Sequence, residues 1–180
     1  MLQTATTRLV RPDDIAAILA LHAHVFGPGR YARSAYRVRE GTSAYSQYCR
    51  LAEIGSRVIA ALRLTQVDIG GRDGAVLLGP IAVDPEFTGQ GYGRRLIGES
   101  LQHMKAHGVR LVVLVGDELY YGRFGFRPVR PGQILLPGPV DPARVLALEL
   151  QEGALASYCG RVSAASRAKS GSGSPVSTHG

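Results

Sequence analysis

The residues able to do chemistry lie close together. Thr88-Gly89-Gln90-Gly91-Tyr92-Gly93 runs directly into Arg94 and Arg95 and an apolar-periodic segment carrying Leu96, Ile97, Leu101 and Met104. That spacing puts the four apolar side chains on one helical face, so the glycines sit at a helix N-terminus. There the first backbone N–H groups lack intrahelical partners and the macrodipole is positive, which lets an anion such as a pyrophosphate dock against bare backbone. Side chains would block that approach, and glycine also adopts the positive φ angles that such a nest of amides needs. Farther on, a tyrosine stands just before Phe124-Gly125-Phe126. The order of strand, glycine loop, helix, strand and tyrosine suggests a site for a phosphorylated carrier.

Competing phosphate motifs fail on particular residues. A P-loop ends in Gly-Lys-Ser/Thr, whereas Gly93 is followed by Arg94 and Arg95. A dinucleotide fingerprint read from Gly89 meets Gly91 but then Arg94, where a third glycine would allow close helix–strand packing. A plain glycine-rich surface turn is the remaining alternative.

The elements around the loop argue for a site. Residues 75–83 form a nearly continuous apolar run, as expected of a strand covered on both faces, yet Gly79-Pro80 interrupts it. Proline cannot donate to a ladder and glycine within a strand marks a bulge, so pairing should loosen midway. A second apolar strand over 111–115 follows the helix and should run parallel to the first through a right-handed crossover. The two would then splay, leaving N–H and C=O groups of Ile81, Ala82 and Val83 for an extended ligand.

With these residues in view, residues 79–126 resemble the core of the GNAT superfamily of acyl-CoA-dependent N-acyltransferases. Its signature Arg/Gln-x-x-Gly-x-Gly/Ala falls on residues 88–93, with Thr88 in place of the usual Arg or Gln. Tyr31-Ala32-Arg33, Tyr36-Arg37, Arg39-Glu40-Gly41, Val115-Gly116-Asp117 and Tyr120-Tyr121 before Arg123-Phe124-Gly125-Phe126 are similar to its YhbS-like bacterial branch. The likeness covers roughly the first 160 residues and is most specific in the central 50.

The resemblance implies a GNAT-type α/β fold of the α+β kind: a mixed, mostly antiparallel sheet with a central splayed parallel strand pair, flanked by helices. It implies acetyl-CoA as co-substrate, no metal, and transfer of an acetyl or related acyl group to a primary amine by direct attack in a ternary complex. Backbone groups of Ile81, Ala82 and Val83 would meet pantetheine, and Thr88, Gly89, Gln90, Gly91, Tyr92, Gly93 and Arg94 would surround the pyrophosphate. Tyr121 matches the family's Tyr-x-x-x-Gly-Phe position and would be catalytic, a phenol delivering its proton to the departing thiolate. An ordinary phenol, with a pKa of about 10, is protonated at neutral pH. The bland alternative for Tyr121 is a core tyrosine with a satisfied hydroxyl, and Tyr120 reads as structural. For a general base the sequence offers Glu40, Glu53, Glu86, His22 and His24 without choosing. A noncatalytic acyl-CoA-binding sensor is the alternative function, and the acceptor, a small-molecule or peptide amine, has no readable code.

Other chemistries lack their signals. Cys49 and Cys159 are the only cysteines, with no His/Asp partner motif and no zinc-type spacing. No Gly-x-Ser-x-Gly elbow occurs. The formal net charge is +7, but Arg161, Arg167 and Lys169 carry three of these beyond residue 160, leaving a mild +4 that suits an anionic co-substrate rather than nucleic acid.

A chain of 180 residues, 45% hydrophobic, suits one domain with a sizeable core. We expect that domain over residues 1–160 and a flexible Ser/Gly-rich basic tail over 161–180. Neither a signal-peptide pattern nor an apolar run of the ~18 residues needed to span a membrane occurs, so the expectation is a cytoplasmic protein without membrane contact. A first strand is expected at residues 6–10, a helix from Pro12-Asp13-Asp14 to Gly27, another at 34–40, a hairpin around Gly55-Ser56, a loop over 131–142 and a last strand at 145–150. An exposed sheet edge leaves a homodimer open.

Overall fold

The structure is a computed structural model that describes residues 4–28, 38 and 45–166. Of the expected helix at 34–40, only Val38 is among the described residues, helical and buried; the rest lies outside them. Strand β1 (Thr6–Leu9) leads through a turn of 3-10 helix at Pro12–Asp14 into helix α1 (Ile15–Phe26). Gly27, at φ 64°, ends α1 by donating its N–H to the Ala23 carbonyl at 3.0 Å. The hairpin is present, with β2 (Arg50–Ile54) and β3 (Arg57–Ile69) joined at Gly55. Gly70 and Gly71, both at positive φ, turn the chain into β4 (Arg72–Val83).

Next come α2 (Tyr92–Ala106), β5 (Leu111–Val115), a short helix α3 (Glu118–Tyr121), β6 (Arg127–Pro128), β7 (Ile134–Leu135), β8 (Val145–Glu149) and β9 (Gly160–Ala164). The strand order is β1-β2-β3-β4-β5-β8-β6, with β9 pairing with β3 and β7. Antiparallel pairing prevails, and the central β4–β5 pair is parallel, as a β-loop-helix-β crossover requires.

Alternation along the central strands divides the core. Val76 and Leu78 of β4 pack with Leu21 of α1 and with Leu96, Ile97 and Met104 of α2. Ala75 and Leu77 face the opposite side, with Leu111, Val113, Val145, Tyr158 and Val162. Leu96, Ile97 and Met104 are each 0% exposed, so the apolar stripe of α2 is what fixes that helix to the sheet. Burial of this kind contributes about 1.5–3 kcal/mol per large side chain.

Arg8 ties the edge of the sheet to α1. Its guanidinium donates to both carboxylate oxygens of Asp14, at 2.7 and 2.8 Å, and to Glu53 of β2 at 2.8 and 3.0 Å. The Arg8 hydrogen bonds hold the Asp14 carboxyl down at about 2.

Two segments differ from expectation. Strand β9 crosses the anticipated boundary at residue 160, because Val162 is buried against Ile69 and Val67 and the strand closes on β3. Ser166 then donates its backbone N–H and hydroxyl to Asp68, at 3.1 and 2.8 Å. The region 131–142, expected as loop, contains β7, which pairs in parallel with β9. Two residues carry too little periodicity to announce a strand. Among the described residues no helix is long and apolar enough to cross a membrane.

Candidate active site

The central strands part where the sequence breaks their pairing. β4 and β5 share only the register Ala75–Leu111, Val76–Val112 and Leu77–Val113. Beyond it each strand pairs outward: Ile81, Ala82 and Val83 oppose Leu62, Ala61 and Ala60 of β3, while Leu114 and Val115 oppose Leu146 and Val145 of β8. Gly79 and Pro80 sit at the point of divergence, and β3 shifts register between Leu62 and Leu64 to follow. The inward edge of residues 81–83 thus faces the gap.

At the wide end of that gap the chain leaves β4 for α2. Asp84 accepts from the Glu86 N–H at 3.0 Å and Phe87 donates to the Asp84 carbonyl at 2.8 Å, closing a tight turn. The Thr88 hydroxyl donates to the Pro85 carbonyl at 3.1 Å, so this side chain closes the turn. Gln90 reaches the Glu86 carbonyl at 3.4 Å.

Gly89 and Gly91 lie at φ 78° and 87° with nothing within 4 Å of an added Cβ, so glycine is required there by backbone conformation and the space in front is open. Arg95 is the first residue whose N–H turns back into the helix, to the Gly91 carbonyl at 3.0 Å. The amides before it belong to the unsatisfied first turn. Gly93 differs: a Cβ there would meet Ile81 Cδ1 at 3.4 Å, the Tyr120 hydroxyl at 3.6 Å and Val83 Cγ2 at 3.7 Å. The structure therefore brings residues 81–83, the start of α2 and α3 to one place. A first turn whose amides make no bond within the helix, with open space at Gly89 and Gly91, fits a diphosphate.

Arg57, which sequence reasoning missed, anchors this loop. From the start of β3 it donates to Asp84 and to Glu86, each at 2.8 Å, and its guanidinium lies over the Phe87 ring, 5.3 Å from the centroid. Phe87 meets Tyr92 edge-on at 6.3 Å. The Glu86 N–H, and after it Arg57, hold the Asp84 carboxyl below its usual range. Only the aromatic and acid content of residues 84–87 hinted at such an anchor.

Tyr121 ends α3, beside the end of β5. Asp117 caps α3, its side chain accepting from the Leu119 N–H at 3.1 Å, and Gly125 at φ 97° turns the chain out of the following 3-10 turn toward β6. The Tyr121 ring lies against Gly116, immediately after β5, and meets the rings of Tyr120 and Phe126 edge-on at 4.8 and 6.1 Å. Burial pushes its phenol above the ordinary value, Tyr120 adds to this, and the nearby Arg144 charge opposes it. The hydroxyl is therefore a proton donor throughout the neutral range. Tyr120, read as structural, turns its hydroxyl to Gly93 at the start of α2.

The candidate bases do not converge. Glu53 is paired with Arg8 and Glu86 with Arg57, both at 2.8 Å. His22 is buried on α1, His24 is exposed in its last turn, and Glu40 lies outside the described residues. Cys49 is buried, its Sγ accepting from Ser46 and Leu64 amides at 3.3 Å, whereas Cys159 is exposed; both are free thiols. Among the described residues no three His, Cys, Asp or Glu side chains group as metal ligands.

Comparison with known proteins bears on this arrangement. The family model for the acetyltransferase (GNAT) domain matches residues 6–129. The uncharacterized N-acetyltransferase YhbS of Escherichia coli is 39% identical over 120 residues, covering 66% of this chain and 71% of that protein. The crystal structure of Escherichia coli YhbS in complex with CoA superposes with a TM-score of 0.77 at 28% identity, covering 92% of this chain and 91% of that one. A GNAT family acetyltransferase from Brucella melitensis in complex with acetyl-CoA gives a TM-score of 0.61 at 30% identity, covering 81% and 96%.

Proposed function

The chain belongs to the GNAT acetyltransferase family and is an acyl-CoA-dependent N-acyltransferase, and from that premise we propose that it transfers an acetyl group from acetyl-CoA to a primary amine by direct attack in a ternary complex. The observation that carries the reading is the convergence of three parts: the diverging β4–β5 edges, the first-turn amides of residues 89–94, and helix α3, which carries Tyr121. In this reading the amides and the positive end of α2 hold the diphosphate. The free edge of Ile81, Ala82 and Val83 takes the amides of the pantetheine arm as a further strand would.

In this reading the thioester lies between the strands, near Tyr121. The amine nitrogen forms a bond to the carbonyl carbon, the carbon–sulfur bond breaks, and Tyr121 gives its proton to the departing sulfur. The acylated nitrogen releases one proton to solvent, and solvent returns one to the Tyr121 phenolate. Binding both partners in one complex removes much of the entropic barrier, and the phenol spares the site a free thiolate.

Calorimetry with CoA, followed by acetyl-CoA turnover on a panel of small-molecule and peptide amines read by thiol release, tests the reading. We expect CoA binding and turnover on at least one amine. Absence of CoA binding would overturn it. CoA binding without turnover on any amine, coupled with unchanged behaviour of a Tyr121→Phe variant, would instead identify an acyl-CoA sensor.

A further inference from the structure

Arg123 follows α3 and carries an exposed guanidinium held over the Tyr120 ring, 4.7 Å from its centroid. The same tyrosine turns its hydroxyl to within 3.6 Å of the Cβ position of Gly93. One aromatic side chain thus connects the amide-lined start of α2 to a cation just after α3. Two neighbouring arginines are engaged otherwise: Arg95 donates to Glu99 at 2.9 Å, and Arg127 to the carbonyls of Gly122 and Phe126 at 3.2 and 2.8 Å. Among the described residues Arg123 makes no ion pair with a carboxylate, and its guanidinium stacks on the ring beneath it.

Stacking restricts an arginine without consuming its donors. The planar fork of N–H groups stays available for the paired oxygens of a phosphate, with less freedom to lose on binding. Room for such a group exists: with Arg127 and Arg144, Arg123 lines an open groove of about 710 Å³. Of the acids in that groove, Asp117 is occupied in capping α3. Glu118 is exposed.

We infer that Arg123 binds the 3′-phosphate of coenzyme A and makes the protein discriminate CoA from 3′-dephospho-CoA. This rests on the reading that residues 89–94 hold the diphosphate. The 3′-phosphate is separated from that diphosphate by one ribose, and Arg123 is separated from the amide nest by one tyrosine ring. The site therefore presents two anion-binding elements in the order in which the molecule presents its anions.

The experiment measures affinities of the full chain for CoA and for 3′-dephospho-CoA by calorimetry, in the wild type and in Arg123→Gln and Arg123→Lys. A charge-assisted contact predicts that the wild type binds CoA at least about tenfold more tightly. Arg123→Gln should bring the ratio to within about twofold by weakening CoA alone, and Arg123→Lys should retain part of it, since charge remains but the fork is lost. The wild-type ratio should shrink as salt rises, because the guanidinium is exposed. Equal binding of the two ligands by the wild type, or an unchanged ratio in Arg123→Gln, overturns the inference. Failure of both ligands to bind overturns the reading on which it rests.

Discussion

Tyr121 rests on Gly116 so closely that a Cβ at residue 116 would stand 2.5 Å from Tyr121 Cε2 and 2.9 Å from Cδ2, with Leu114 Cδ1 at 3.0 Å on its other side. No methyl group fits between them, so Gly116→Ala must move the phenol. A misplacement of about 1 Å at a reacting centre costs on the order of 10²-fold in rate. We expect kcat to fall by roughly that factor while the CoA dissociation constant, measured by calorimetry, changes little, since the amides of residues 89–94 are elsewhere. An active Gly116→Ala enzyme would mean that the phenol's position is immaterial.

Removing the hydroxyl itself is the sharper test. Tyr121→Phe keeps the ring on Gly116 and deletes the proton, and should lower kcat by about 10²–10⁴-fold with CoA affinity nearly intact. The pH profile carries a sign. An acid must be protonated to act, and burial raises this phenol above its ordinary value of 10.0, so Tyr121 contributes no falling limb to the wild-type profile below that pH. A falling limb at lower pH that vanishes in Tyr121→Phe would contradict the assignment.

The anchor from β3 makes a different prediction. Arg57→Ala removes both 2.8 Å contacts, to Asp84 and Glu86, and the cation over Phe87. Because Arg57 is largely exposed, the melting temperature should change by only a few degrees. CoA affinity should drop several-fold, since the turn leading into the amide nest loses its tie to the sheet. A variant melting like the wild type and binding CoA equally well would remove Arg57 from the site.

Much of this was legible in the sequence, for reasons that can be named. The glycines at 89 and 91 are readable because only glycine adopts φ 78° and 87° without strain, and Gly79-Pro80 because it cannot sustain a ladder. Such rules act on adjacent residues. The contacts that complete the site act at a distance: Arg57 reaches Asp84 and Glu86, and Tyr120 reaches Gly93, across separations that no local pattern encodes. The β7–β9 pair was hidden likewise, since Ile134 and Leu135 become a strand only by meeting Gly160 and Arg161.

Acid should expose the junction of β1 with α1. Asp14, ordinarily near 3.8, is held at about 2 in the folded protein by Arg8, so the unfolded chain binds a proton there first. The contact stabilises fully above about pH 4 and is lost as pH falls toward 2, a contribution on the order of 1 kcal/mol. Asp14→Asn should lower the melting temperature at neutral pH and flatten its decline between these values, as thermal scans across the range would show. An equally steep decline in Asp14→Asn would place the acid sensitivity in other carboxylates.

Arg57 gives the loop one more property. A loop whose two carboxylates and aromatic face are gripped by one guanidinium from the sheet has already surrendered conformational freedom before any visitor arrives, so association need not be charged for that ordering. Encounter should then be limited by collision and orientation rather than by rearrangement, and variants that slacken the tether should slow capture as well as hasten release.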